Sequence, residues 1–140
     1  MLESLQIRNY VLIDSLDIRF PEGLIIISGQ TGAGKSILLG ALSLLLGSKA
    51  DASVIGGEAD SCVVEAVFRI PESDLVLKEI LDDNDVEAGD GELIIRRVVN
   101  RSGRSRSFIN DSPVNIQILQ SISSRLVDIH SQHQTLLLSD

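Results

Sequence analysis

The residues of this chain whose types and spacing can do chemistry are Gly29-Gln30-Thr31-Gly32-Ala33-Gly34-Lys35-Ser36, and that chemistry is the holding of a polyphosphate. The stretch reads G-x-x-x-x-G-K-S. Gly29, Gly32 and Gly34 carry no Cβ, so the backbone can curl and aim several N–H groups at one phosphate. A helix entered from such a loop adds unpaired N–H groups and roughly half a positive charge from its dipole. Lys35 supplies an ammonium for the β- and γ-phosphates, and the Ser36 hydroxyl is placed to ligate Mg²⁺. Gln30, Thr31, Ala33 and the adjoining Ile37 complete the predicted nucleotide-contacting set. A glycine turn with one incidental lysine is the bland alternative.

The flanking residues argue against that alternative. Leu24 to Ser28 is a continuous apolar run, as expected of a strand buried on both faces. Ile37 to Leu46 is almost entirely aliphatic or Ala and is followed by Gly47, a plausible helix C-cap. Strand, glycine loop and helix is the order a phosphate loop needs.

Around this unit the pattern is α/β. Leu2–Arg8 and Leu16–Phe20 alternate apolar and polar residues and predict an opening hairpin linked by Asn9–Ser15. Pro21-Glu22-Gly23 turns the chain into the phosphate-loop strand. Ser48–Asp60 reads as a loop with at most a short helical turn. Ser61–Ile70 predicts a strand, and Pro71–Leu81 a helix with Leu75, Leu77, Ile80 and Leu81 on one face. Glu92–Asn100 and Ser105–Asn110 predict a second hairpin about Ser102-Gly103, with another turn at Asn110-Asp111. Ser112-Pro113 reads as a helix start, with the helix running to about Ser124 and Val114, Ile118, Leu119 and Ile122 inward. Leu126–His130 predicts a last short strand.

Other constellations have bland readings beside them. Glu72–Glu92 holds nine acidic residues and one lysine, but without the spacing of a calcium loop it predicts a solvated surface. Asp128, after Leu126-Val127, is the one candidate for a strand-end carboxylate that would hold Mg²⁺ in a self-contained small P-loop NTPase or kinase. The preceding apolar run is short for that role. Arg96, Arg97, Arg101, Arg104 and Arg106 crowd the second hairpin; they suit phosphates of DNA, and equally suit a charged edge that discourages strand addition. A DNA-binding module working through the Arg96–Arg106 hairpin is therefore a further alternative. His130 and His133 are three residues apart and predict no zinc site on spacing alone.

Composition bounds these readings. The chain has 140 residues, enough for one domain burying about 68% of its unfolded surface. Its net charge of -8 gives the whole molecule no general attraction for nucleic acid. The single cysteine, Cys62, rules out an internal disulfide framework and suits a reducing compartment. Met1-Leu2-Glu3 lacks a basic leader, and Ile37–Leu46 is too short to span a bilayer, so a soluble intracellular protein with no membrane partner is expected.

The opening Leu2–Tyr10, then Ile18-Arg19-Phe20 and the phosphate loop, resembles the N-terminal half of SMC-type ABC ATPase heads. Thr31–Leu39, Val64–Phe68, Gly103–Asn110 and Leu126–Gln134 narrow the resemblance to the RecN family of bacterial DNA double-strand-break repair proteins. The resemblance implies an α/β fold, the P-loop NTPase N-terminal head lobe, with a mixed sheet, an N-terminal β-hairpin and a phosphate-loop helix. Residues 1–140 would form that lobe and end before a coiled coil. It implies ATP and Mg²⁺ as cofactors, Lys35 and Gln132 as catalytic residues, and Ser36 and Gln132 as Mg²⁺ contacts, Gln132 being the Q-loop glutamine. Asp128 then becomes structural. Implied partners are a C-terminal head lobe, a second head in a homodimer, and DNA, with Arg101, Arg104 and Arg106 as candidate DNA contacts; the implied location is the bacterial cytoplasm at the nucleoid. Hydrolysis would need the signature motif, the second carboxylate strand and the switch histidine, none of which is in this chain. Gln30 and Ser131 stand where the family usually has Glu and Gly, and Val11 where related heads often carry a basic residue.

Overall fold

The computed structural model describes residues 2–20, 32–50, 52–70, 73–86 and 91–133, and side chains at all of these except 32–36 and 127–133. In chain order the elements are β1 (Leu2–Tyr10), β2 (Ile13–Arg19), α1 (Gly32–Leu45), β3 (Ser61–Arg69), α2 (Leu75–Asp83), β4 (Glu92–Asn100), β5 (Ser105–Ile109), β6 (Ser112–Val114) and α3 (Ile116–His133). A short 3-10 turn, Ala52–Val54, bridges α1 and β3. Among the described residues six strands form one sheet in the order β2-β1-β3-β4-β5-β6, and every pairing among these is antiparallel. The predicted phosphate-loop strand, 24–28, lies outside the described residues.

Alternation decides which face is buried. Cys62, Val64, Ala66 and Phe68 of β3 lie beside Leu93, Ile95 and Val99 of β4, with Leu5 and Ile7 of β1 and Ile109 of β5 completing the inner face. Burial pushes the Cys62 thiol up to about 11, so it is a packing group rather than a nucleophile. α1 covers β3 and β4 through Leu38, Ala41, Leu42 and Leu45, while α3 lies against β5 and α2 against α3. The apolar spacing of α1 is helical, so one stripe meets the sheet. No helix among the described residues is long and apolar enough to cross a membrane.

Several predicted boundaries move. The opening strands run through to a two-residue connection, Val11-Leu12, with Tyr10 opposite Ile13. The predicted Asn9–Ser15 link was too long because Val11, Leu12 and Ile13 hide the alternation, which backbone pairing does not require. α2 begins at Leu75 rather than near Pro71: the Asp74 side chain accepts from the Leu77 N–H and caps it, and Leu75 is 71% exposed. Ser112-Pro113 does not start a helix. The Asn110-Asp111 turn, with φ of 49° and 68°, feeds those residues into β6, where Pro113 occupies a sheet edge that needs no further N–H donor. Asn115 takes the cap instead, its Oδ1 accepting from the Ile118 N–H at 2.8 Å.

The predicted strand Leu126–His130 is helical. α3 continues through it because Leu119, Ile122, Ser123 and Leu126 repeat at helical spacing and are all buried. A two-residue apolar pair before Asp128 imitated a strand end. The reading of Asp128 as a strand-end Mg²⁺ ligand falls with the strand.

Candidate nucleotide site

α1 starts at Gly32, inside the glycine-rich stretch, so Gly32-Ala33-Gly34-Lys35-Ser36 is the opening turn of a helix and Ile37 follows directly. The first four N–H groups of any α-helix have no partner within it, and in α1 these belong to Gly32, Ala33, Gly34 and Lys35. Gly29, Gln30 and Thr31 lie outside the described residues. Gln132 sits in the last turn of α3 rather than on a loop after a strand.

The rest of the fold holds α1 in place. Its middle meets the first hairpin: a Cβ on Gly40 would stand 2.4 Å from the Tyr10 hydroxyl oxygen, so only glycine lets this ring lie so close to the helix. Its carboxyl end is closed by a Schellman motif. Gly47, with φ of +110°, donates to Leu44 O at 3.3 Å, and the Ser48 N–H reaches Ser43 O at 3.0 Å.

Two side chains reinforce that end. Arg97, on β4, is 3% exposed; its Nη1 donates to Leu44 O at 2.7 Å and also to Ser48 O, and its Nη2 donates to Ser105 Oγ at 3.2 Å. Burial pulls the Arg97 guanidinium below its ordinary value. A cation against the last carbonyls of a helix sits where the dipole is negative. From α3, Gln120 Nε2 donates to Gly47 O at 3.0 Å, so α1 and α3 meet at this point.

α3 is anchored by α2. Arg125 grips both oxygens of the Asp74 carboxylate, Nε at 3.2 and 3.1 Å and Nη2 at 3.0 Å. Burial of Asp74 opposes its ionisation. The Arg125 hydrogen bonds and charge, with the Leu77 and Val76 N–H groups, outweigh burial and hold the carboxyl below its ordinary value of 3.8. Gln132 lies seven residues beyond Arg125 on the same helix.

The arginine hairpin divides into different jobs. Arg97 is buried under α1 and is not a surface contact. Arg96 points to the other sheet face, its guanidinium 4.6 Å from the centre of the Phe108 ring. Arg101 donates from Nε to Ala59 O at 2.8 Å and from Nη2 to Gly57 O, which pins the loop before β3. Arg104 and Arg106 are exposed. Among the described residues no group of three or more His, Cys, Asp or Glu side chains is placed to hold a metal ion.

Sequence reasoning placed Arg97 with the surface arginines of the second hairpin and passed over Asp74, Arg125 and Gly40. The clue to Arg97 was its parity: it takes the inward phase of β4 between Ile95 and Val99. For Asp74 the clue was an acidic cap residue immediately before the apolar helical spacing.

The AAA domain family matches residues 4–139. The DNA repair protein RecN of Vibrio cholerae serotype O1 is 39% identical over 133 residues, which cover 95% of this chain and 24% of that protein. RecN of Synechocystis sp. is 42% identical over 144 residues, 100% of this chain and 24% of its own length. The chain thus spans about a quarter of the length of the curated relatives it matches. Among solved structures, an SMC ATPase superposes with a TM-score of 0.66 at 21% identity, covering 88% of this chain and 77% of that one. The SMC head domain from Thermotoga maritima gives 0.57 at 22% identity, covering 86% and 41%. These two likenesses bear on the fold and agree with its sheet and helices. The chain belongs to the AAA domain family, and is similar to about a quarter of the length of RecN-type DNA repair proteins.

Proposed function

We propose that this chain is the ATP-binding N-terminal lobe of an SMC-like ATPase head acting in DNA double-strand-break repair and recombination. One observation carries the reading: G-x-x-x-x-G-K-S runs into α1 at Gly32, so the motif's second half coincides with the unpaired N–H groups of a helix start. These groups fit a phosphate. Gly29–Ile37 would hold the triphosphate, with Lys35 on its β- and γ-oxygens and Ser36 on Mg²⁺; Gln132 would complete the Mg²⁺ sphere. ATP would supply the anionic phosphates and Mg²⁺ the positive charge that offsets them.

Hydrolysis belongs to the longer protein. A C-terminal head lobe and a second head would bring the remaining catalytic groups, consistent with the solved SMC ATPase described by "ATP-driven dimerization and DNA stimulated activation". For DNA, Arg104 and Arg106 are the favoured contacts on the second hairpin. Arg101 is a weaker candidate because its guanidinium already serves Gly57 and Ala59. A cytoplasmic, nucleoid-associated location follows from such a role.

Titrating the chain with a fluorescent ATP analogue and Mg²⁺ tests the reading. Saturable binding that Lys35→Ala abolishes, with no turnover, is the expected result. Turnover by this chain alone, abolished by Asp128→Asn, would replace it with a self-contained NTPase.

A further inference from the structure

We infer that Arg97 is a positioning residue for the nucleotide site: by holding the carboxyl end of α1 against the sheet, it sets where the first turn of that helix meets phosphate. The inference rests on the nucleotide-binding reading above. Arg97 occupies a phase of β4 otherwise filled by Leu93, Ile95 and Val99. An apolar side chain there would avoid the cost of taking a charge out of water. The charge is present instead, and among the described residues no carboxylate pairs with it. Its Nε is buried without a hydrogen-bond partner, while Nη1 and Nη2 reach Leu44 O, Ser48 O and Ser105 Oγ. What offsets the burial is the carbonyl end of α1.

Directionality is the reason this matters at the other end of the helix. Leu38, Ala41, Leu42 and Leu45 hold α1 to the sheet by apolar contact, which resists separation more than sliding. The hydrogen bonds from Arg97 and Gln120 to the carboxyl end fix position as well as proximity. A helix transmits that constraint along its length, which for the 14 residues of α1 is about 21 Å. Ser105 ties the same guanidinium to the start of β5, so the second hairpin shares the constraint.

The experiment compares the wild-type chain with Arg97→Met and Arg97→Lys. Binding of a fluorescent ATP analogue with Mg²⁺ is measured well below each variant's unfolding temperature, and amide hydrogen exchange is followed without nucleotide. Arg97→Met is expected to weaken binding roughly tenfold, with Arg97→Lys intermediate because an ammonium keeps the charge but cannot span three acceptors. Exchange at the first hydrogen-bonded amides of α1, Ser36 to Leu39, should quicken while those of α2 are unchanged. Faster exchange confined to Leu44–Ser48, or unchanged affinity in the folded variants, would reduce Arg97 to a local cap and overturn the inference. Should the Met variant not fold, the Lys variant decides by the same two readings. If the wild-type chain binds no nucleotide, the function reading fails, and the exchange pattern still judges Arg97.

Discussion

The carboxyl end of α1 and the amino end of α2 are each held by a buried charge whose sign suits the helix dipole, yet among the described residues only the second has a counter-ion. Asp74 caps α2 and is paired bidentately with Arg125 of α3. Arg97 closes α1 through two carbonyls and a hydroxyl, with no carboxylate among the described residues. The paired clamp joins two helices and leaves no net charge in the interior. The unpaired one joins a helix to the sheet and leaves a full positive charge balanced by partial ones. The first arrangement depends on protonation at acid pH, whereas the second rests on an arginine, which stays protonated near neutral pH.

Breaking the paired clamp should have the largest effect on stability. Asp74→Ala removes a helix cap and strands Arg125, and is expected to cost about 3 kcal/mol, below the upper range for fully buried pairs because Arg125 is partly exposed. Urea denaturation of variant and wild type measures this. Asp74 also gives a pH signature. Its folded carboxyl titrates below 3.8, so its contribution is fully present above that value and is lost as pH falls through it toward the lower folded value. Wild type should lose more stability than Asp74→Ala between pH 6 and pH 3, a narrowing of the gap that equal slopes would contradict.

Arg97→Met comes next, at about 2 kcal/mol. It forfeits charge-assisted bonds to two carbonyls, but relief of a buried charge returns part of the loss. Its cost should be the same at pH 5 and pH 8, since no group in this clamp titrates there. A pH-dependent cost would mean a hidden carboxylate partner and would erase the contrast between the two ends.

Legibility in the sequence followed the same division. Elements whose side chains repeat at a simple period were plain: β3, β4 and β5 fall within a residue of their predicted bounds, and the apolar stripe of α1 was evident. Period alone failed where two periods share residues. Leu126-Val127-Asp128-Ile129 satisfies a short strand locally, and only Leu119 and Ile122 upstream make it the continuation of a helix. Ser112-Pro113 carried a genuine cap signal that lost to sheet pairing, a tertiary override. The helix predicted over Ile37–Leu46 begins earlier, at Gly32, so the second half of the motif lies in its first turn. The clamps were hard to see because each joins residues far apart in the chain, Leu44 with Arg97 and Asp74 with Arg125.

Gly40→Ala probes a third hold on α1, the close approach of Tyr10. The added methyl collides with the far end of a ring, and the ring must tilt away from the helix. Overpacking of this kind costs on the order of 1–3 kcal/mol, offset by up to about 1 kcal/mol of better helix propensity. A net loss of about 1 kcal/mol is expected, with thermal unfolding as the readout. A gain in stability would show that Tyr10 yields freely and that the helix is positioned from its carboxyl end alone.

Ser105→Ala is the finest cut, because it leaves both carbonyl contacts of Arg97 in place and removes only the tie to β5. At 3.2 Å the bond to Ser105 Oγ is the longest of the three, and its loss should cost about 0.5–1 kcal/mol. Stability hardly distinguishes so small a term, so the informative measurement is location. Hydrogen exchange should quicken along β5 and its pairing with β4, from Val99↔Ser105 inward, while the amides at the end of α1 keep their protection. If the end of α1 loosens as well, Arg97 needs the hydroxyl to hold its aim, and the clamp is a three-point device spanning helix, strand and hairpin. If neither changes, the guanidinium is fixed by carbonyls alone, and the second hairpin is mechanically independent of the helix that begins in the glycine-rich motif.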